Sequence, residues 1–282
     1  MSSLDRPRPR ASGVDPSGSP GRPRVSATDL DGTLLGVDGV VSARTVEALR
    51  AAHALGIQVV AATGRSHRTA APKVAPVGVV DRAICSNGAM VVRLSPVVIE
   101  DHTPIPAITA TAVVAALRAA IPDVGLGWEH LDGFGWDPTW VAQRPPTDGE
   151  QLAGVADDPP ADTDLTKVLV THPTVSHDAL LGAIDGVLPP GVVASTSGAA
   201  FVEITVDGAD KATALAALCG RWGVAAHEVL AFGDHRNDLG MLTWAGRGVA
   251  MGNAHPEVLA AADEVAPPNA ADGVAEVIER LL

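Results

Sequence analysis

Lysine is nearly absent. There are three, Lys73, Lys167 and Lys211, in 282 residues. Against 33 acidic residues, 23 of them Asp, stand 17 Arg, and the net charge is −13. The first 24 residues carry five Arg and two Asp, so the rest of the chain stands at −16. A surface of that sign repels nucleic-acid phosphates and anionic membranes, so neither is expected as a partner. Cysteine is scarce too. Cys85 and Cys219 can form neither a disulfide framework nor a four-thiolate metal site, and a reduced, cytoplasmic setting is expected. No run of 18 apolar residues occurs, and no apolar segment follows the N-terminal charges. Transmembrane helices and a signal peptide are therefore not expected. Tyrosine is missing, and of the eight remaining aromatics Trp128, Phe134, Trp136 and Trp140 lie in one stretch.

The length suits two domains or one large one, with a core that needs no disulfide or metal staple. Residues 1–24 are Pro, Ser, Gly and Arg with almost nothing apolar, which predicts a disordered tail. Val25–Thr28 reads as a strand, Leu34–Val41 as a hairpin around Asp38-Gly39, and Ser42 as the cap of a helix. Ile57–Ala62 and Ala83–Ser86 read as further strands. Strand–helix–strand alternation argues an α/β fold with a parallel, Rossmann-like sheet, and ligands of such sheets bind beyond the strands' carboxyl ends. Residues 94–204 break the pattern and read as an inserted, smaller α+β domain, with 132–165 a long irregular segment rich in Pro, Gly and Asp. The parallel pattern resumes over 205–282, with a helix over Asp210–Trp222 and a strand at Val229–Phe232.

Four clusters stand at strand ends or at a helix start. Asp29-x-Asp31-Gly32-Thr33 puts two carboxylates on a bend after a buried strand. Multiplying residue frequencies, it is expected by chance on the order of once in a hundred such chains. Its Gly is one position pair too early for an EF-hand, which leaves a hard-cation site or a plain acidic turn. Thr63-Gly64-Arg65 offers a hydroxyl and exposed amides at a strand end, able to hold a phosphate oxygen or simply to end the strand. Lys211 opens a helix, the end where cations are disfavoured. Lys73, in a Pro-broken segment, and Lys167, at a strand start, read as surface charges. Gly233-Asp234-His235-Arg236-Asn237-Asp238 sets two acids four apart, one able to face a metal while the other steadies it or caps a helix. His235 reads as a tolerated variable position.

These motifs together resemble the haloacid dehalogenase (HAD) superfamily, and within it the Cof-type phosphatases with a large cap. The matching stretches are Asp29–Leu34 (DLDGTL), Thr63–Arg65 (TGR), Ser86–Ala89 (SNGA), Lys211, Gly233–Asp238 (GDHRND) and Met251–Ala254 (MGNA). The likeness spans 25–282, with one departure: Ala212 stands where the family has Gly after the Lys. The long stretch between Thr63 and Lys211 resembles the branch whose cap lies between the second and third motifs. The resemblance implies a core of 25–93 and 205–282 and a cap of 94–204. It implies a Mg²⁺-dependent phosphatase of small phosphate monoesters, sugar phosphates foremost, working through an aspartyl-phosphate as a monomer or homodimer. Asp29 would be the nucleophile and Asp31 the general acid/base. Mg²⁺ would lie among Asp29, the Asp31 carbonyl and Asp234, with Asp238 orienting that sphere. Thr63 and Lys211 would offset phosphate charge. Gly64, Arg65, Asn87, Gly88 and Asn237 are candidate substrate contacts, and Arg144 a further one. The cap aromatics read either as a platform for a sugar or flavin ring or as packing. A phosphomutase and a non-catalytic phosphate-binding protein are the alternatives.

Overall fold

The computed structural model describes residues 21–144 and 154–282. The predicted tail, up to residue 20, and residues 145–153 of the predicted irregular segment lie outside the described residues.

The chain begins with β1 (Val25–Thr28), α1 (Ala43–Ala54), β2 (Gln58–Ala62), α2 (His67–Val74) and β3 (Val80–Cys85). The antiparallel pair β4 (Met90–Leu94) and β5 (Val97–His102) follows. The cap comprises α3 (Ala107–Ala120), β6 (Gly125–His130), β7 (Gly133–Trp136), α4 (Pro138–Gln143) and β8 (Gly154–Val155). It is completed by β9 (Lys167–Thr171), α5 (His177–Asp185), β10 (Val192–Ser195) and β11 (Val202–Val206). The chain then returns through α6 (Lys211–Arg221), β12 (Val229–Gly233), α7 (Leu239–Trp244) and β13 (Arg247–Met251). It closes with α8 (Pro256–Ala261), β14 (Glu264–Ala266) and α9 (Gly273–Glu279).

Two sheets result. The eight-stranded core sheet has the order β14-β13-β12-β1-β2-β3-β4-β5, parallel from β14 to β3. Its central strands are buried along almost their whole length, as a sheet covered on both faces requires. α1, α2 and α9 pack on one face through Leu49, Val74 and Ile278. α6, α7 and α8 pack on the other through Leu215, Met241 and Val258. The fold is thus the expected Rossmann-like α/β type. The core sheet runs on to His102, because β5 pairs with β4; residue 93 falls inside that hairpin.

Two local expectations fail. No strand forms over Leu34–Val41. Leu34 and Leu35 are both buried, which breaks the period of two, and a tight loop closes instead through the Gly36 amide to the Val40 carbonyl at 2.9 Å. The segment 132–165 is not wholly irregular, for it holds β7 and α4. Its Gly135 suggests a loop but is a strand position covered by an indole, as is Gly127 in the preceding strand. A Cβ at Gly135 would run into the Trp128 ring, and one at Gly127 into that of Trp136.

The six-stranded cap sheet has the order β10-β11-β9-β6-β7-β8. One face carries Trp128, Val168, Val170, Val202 and Ile204 against α3 and α5. Alternation puts the other set on the face toward the core: Glu129 pairs with Lys167, and Glu203 with Leu169.

Candidate active site

β1, β2 and β12 end side by side, because β1 pairs in parallel with both. That brings Asp29, Thr63 and Asp234 to one edge. After β1 the backbone leaves helical geometry at Asp31 and turns at Gly32 with φ +78°. Only glycine suits that spot. The conformation is left-handed, and a Cβ would occupy the place of the Asp234 carboxylate. Thr33 donates from its hydroxyl to Asp234 Oδ1 at 2.8 Å, tying the first and fourth motifs together.

Lys211 is the first residue of α6, behind the Asp210 cap, whose carboxylate accepts the Thr213 amide at 2.8 Å. Its side chain is fully buried, and Nζ donates to Asp29 Oδ1 at 2.6 Å and Asp238 Oδ1 at 2.7 Å. Ala212, the departure from the family pattern, faces Gly240 on α7 and leaves Lys211 in place. Asp238 Oδ2 accepts the amides of Asp234 and His235, both at 3.0 Å. Both oxygens of Asp238 are thereby bonded, and the residue braces the loop. His235 does more than vary: its Nδ1 meets the carbonyl of Thr196 in the cap at 3.1 Å.

Ligand atoms of Asp29, Asp234 and Asp238 lie within 4.8 Å of one another. Three carboxylates against one ammonium leave a formal surplus of two negative charges at the cluster, whose Asp29 and Asp238 are buried and Asp234 partly so. The Asp29 carboxyl is pushed well above its ordinary value by burial and by Asp238 and Asp234, with Lys211 pulling the other way. Asp234 is pushed up to about 6, chiefly by burial and then by Asp238. Lys211 is held above the ordinary lysine value by its two carboxylates, which outweigh its desolvation. An all-oxygen set with a charge deficit of two fits a hard divalent cation.

Asp31 stands apart from this cluster. Its carboxylate is gripped by the fork of Arg65, with both bonds at 2.6 Å, on the wall of the chamber. Thr63 is buried, and its Oγ1 accepts the Arg65 amide at 3.1 Å. Asn87 accepts from the Asn237 amide at 3.0 Å, so these two predicted contacts bind each other. Gly88, φ +108°, packs on the Asp210 backbone, where a Cβ would clash; its role in the structure is that close approach.

Between cap and core lies a chamber of about 820 Å³, walled among others by Asp31, Gly64, Arg65, Asp234, Phe134 and Phe201. Trp136 and Trp140 are fully buried packing, stacked with centroids 4.9 Å apart, and Trp128 faces the cap helices. Of the four clustered aromatics only Phe134 lines the chamber; Phe201 joins it, with the Arg144 guanidinium 4.9 Å from its ring centroid. A groove of about 430 Å³ lined by Arg24, Arg82 and Trp222 holds none of the predicted residues.

The largest miss concerns Lys167. It is 4% exposed, not a surface charge. Nζ donates to Glu203 Oε1 at 2.9 Å and to the Gly64 carbonyl at 2.6 Å, with Glu129 Oε2 at 3.7 Å. Glu129, 0% exposed, accepts the Ser86 hydroxyl at about 3.0 Å. Lys73 is also engaged, donating to the Gly39 carbonyl at 3.0 Å.

A Rossmann-like sheet whose strand ends gather carboxylates around a buried lysine, beneath an inserted domain, defines a capped Rossmann-like α/β protein with an acidic site at the sheet edge. The family model for haloacid dehalogenase-like hydrolases matches residues 26–278. Pyridoxal phosphate phosphatase YbhA of Escherichia coli (strain K12) is 30% identical over 267 residues, 90% of this chain and 97% of the relative. The 5-amino-6-(5-phospho-D-ribitylamino)uracil phosphatase YitU of Bacillus subtilis (strain 168) is 28% identical, covering 92% and 97%. A haloacid dehalogenase-like hydrolase from Bacteroides thetaiotaomicron superposes with a TM-score of 0.78 at 25% identity, covering 93% of this chain and all of the other. The chain belongs to the haloacid dehalogenase-like hydrolases, and it is a phosphatase. Among the described residues, no helix is long and apolar enough to cross a membrane.

Proposed function

We propose that the protein hydrolyses small phosphate monoesters, sugar phosphates among them, through an aspartyl-phosphate on Asp29 with Mg²⁺ as its metal. The carrying observation is the buried cluster of Asp29, Asp234 and Asp238 around Lys211, with its charge deficit of two. Asp29, the Asp31 carbonyl and Asp234 would hold the ion, which when bound supplies charge neutralisation for the phosphoryl oxygens. Asp29 forms the new O–P bond as the bond to the leaving oxygen breaks, and Asp31 gives that oxygen its proton. A water then attacks phosphorus, returns a proton to Asp31 and frees the Asp29 carboxylate and inorganic phosphate.

Lys211 pulls the Asp29 carboxyl back toward the ionised form that a nucleophile requires, against the burial and the two neighbouring carboxylates that push it up. The Thr63 hydroxyl and the Lys211 ammonium face the transferred group. The Arg65 fork occupies both oxygens of Asp31, so a substrate must draw that guanidinium away before Asp31 can serve as an acid. Phosphate is the natural group to do so, since it accepts an arginine fork in two-pronged fashion.

A ring-bearing ester is a second reading. Phe134 and Phe201 give the chamber flat apolar walls, and two relatives are named for substrates that contain rings. The test is a phosphate-release screen over sugar phosphates, nucleotides, pyridoxal phosphate and flavin mononucleotide. Release from none of them with Mg²⁺ present would overturn the proposal.

A further inference from the structure

Three cap strands each send one charged side chain toward the core: Glu129 from β6, Lys167 from β9 and Glu203 from β11. All three are at least nine-tenths buried, in a chain with only three lysines. Burying such a group is costly unless its bonds do something in return. Two of the cluster's bonds cross from cap to core. Ser86 donates to Glu129, and Lys167 donates to the Gly64 carbonyl.

The second bond reaches the chemistry. The Gly64 carbonyl and the Arg65 N–H belong to one trans peptide and point in opposite directions. The carbonyl receives Lys167 at 2.6 Å, while the N–H donates to Thr63 Oγ1 at 3.1 Å. A hydroxyl that accepts this bond keeps its own proton to donate. Gly64 has room for this arrangement because it lacks a side chain. A Cβ there would come within 3.0 Å of Asn87 Oδ1 and 3.3 Å of Glu203 Oε2.

We propose that Lys167 is a positioning residue: through the Gly64–Arg65 peptide it sets the Thr63 hydroxyl to donate to the phosphoryl group, and does so only when the cap rests on the core. The relay makes cap closure a condition of full phosphate stabilisation. The inference rests on the reading of Thr63 as a phosphate-holding hydroxyl. The two carboxylates hold the Lys167 ammonium above its ordinary value against desolvation, so the donor stays charged.

The test is a double-mutant cycle read as kcat/KM on the best ester of the screen, with thermal unfolding of each variant. Because Lys167→Met alone strands a buried carboxylate, the cap variant is Lys167→Met with Glu203→Gln, and Lys167→Met is measured beside it. Thr63→Val is expected to lower kcat/KM about 100-fold, the scale of one lost oxyanion donor. The cap variant is expected to lower it about 10-fold in the Thr63 protein and less than 2-fold in the Thr63→Val protein, since groups in one relay are not additive. Equal losses in both backgrounds would overturn the relay while leaving Thr63 its role. No loss from Thr63→Val would overturn the Thr63 reading and the relay with it. No loss from the cap variant in the Thr63 protein would overturn the relay alone.

Discussion

Replacing Lys211 with Met is expected to destabilise the protein in a way that depends on pH and metal. The perturbation removes the ammonium bonded to Asp29 and Asp238 and leaves their carboxylates buried beside Asp234. Breaking one partner from a buried ion pair costs about 3–5 kcal/mol. At the roughly 2 °C per kcal/mol suited to a chain of this size, Tm should fall about 6–10 °C at pH 8. The sign with pH follows from Asp29. Its native value is raised already, and Lys211 is the group that lowers it. Without Lys211 it rises further, so the native variant binds a proton that the unfolded chain, with its ordinary Asp, releases above about pH 4. Stability then falls as pH rises across that window. The deficit against wild type should be larger at pH 8 than at pH 5.5. Mg²⁺ brings the missing positive charge, so it should raise the variant's Tm more than wild type's. Differential scanning calorimetry at the two pH values, with and without Mg²⁺, measures all three effects. A Tm within about 1 °C of wild type at both pH values would refute the reasoning that the triad is a charge-balanced unit.

Chelation with EDTA should stop phosphate release, and added Mg²⁺ should restore it; turnover that survives chelation would contradict the metal assignment. Gly64→Ala should lower kcat/KM about 10-fold, because its Cβ presses on Asn87 and Glu203 and shifts the loop that carries Thr63. Arg65→Met frees both oxygens of Asp31. It should raise KM about 10-fold, because the chamber loses the guanidinium that a phosphate would draw across, which a substrate titration on the same ester checks. Arg144→Ala should raise KM for ring-bearing esters more than for sugar phosphates, since Arg144 stacks on Phe201 at the chamber wall.

The core was legible where one local signal sufficed. Val25–Thr28 is a short stretch with β-branched ends and Val229–Phe232 an apolar run; both end in acidic turns, and both are central strands of the sheet. Lys211 stood out because a cation at a helix start opposes the helix dipole, and the structure shows two carboxylates as the reason. Lys167 was missed although a signal existed. It shares a strand face with Leu169, and the next four residues, VLVT, are buried. Glu129 and Glu203 likewise interrupt apolar strands, and only the register of three strands distant in sequence shows that the three charges meet. Gly135 of β7 misled because a glycine that makes room for an indole looks, in sequence, like a glycine that makes a turn. Arg65's grip on Asp31 was invisible for the same reason as the Lys167 cluster: it is a contact across 34 residues between two motifs read separately.

The measurement that bears most directly on the account is phosphate release by Asp29→Asn beside wild type, with Mg²⁺ present and the fold of each checked by calorimetry. Asp29→Asn is expected to fold and to release phosphate only at background on every ester that wild type hydrolyses. A folded Asp29→Asn protein that releases phosphate at the wild-type rate would contradict Asp29 as the nucleophile.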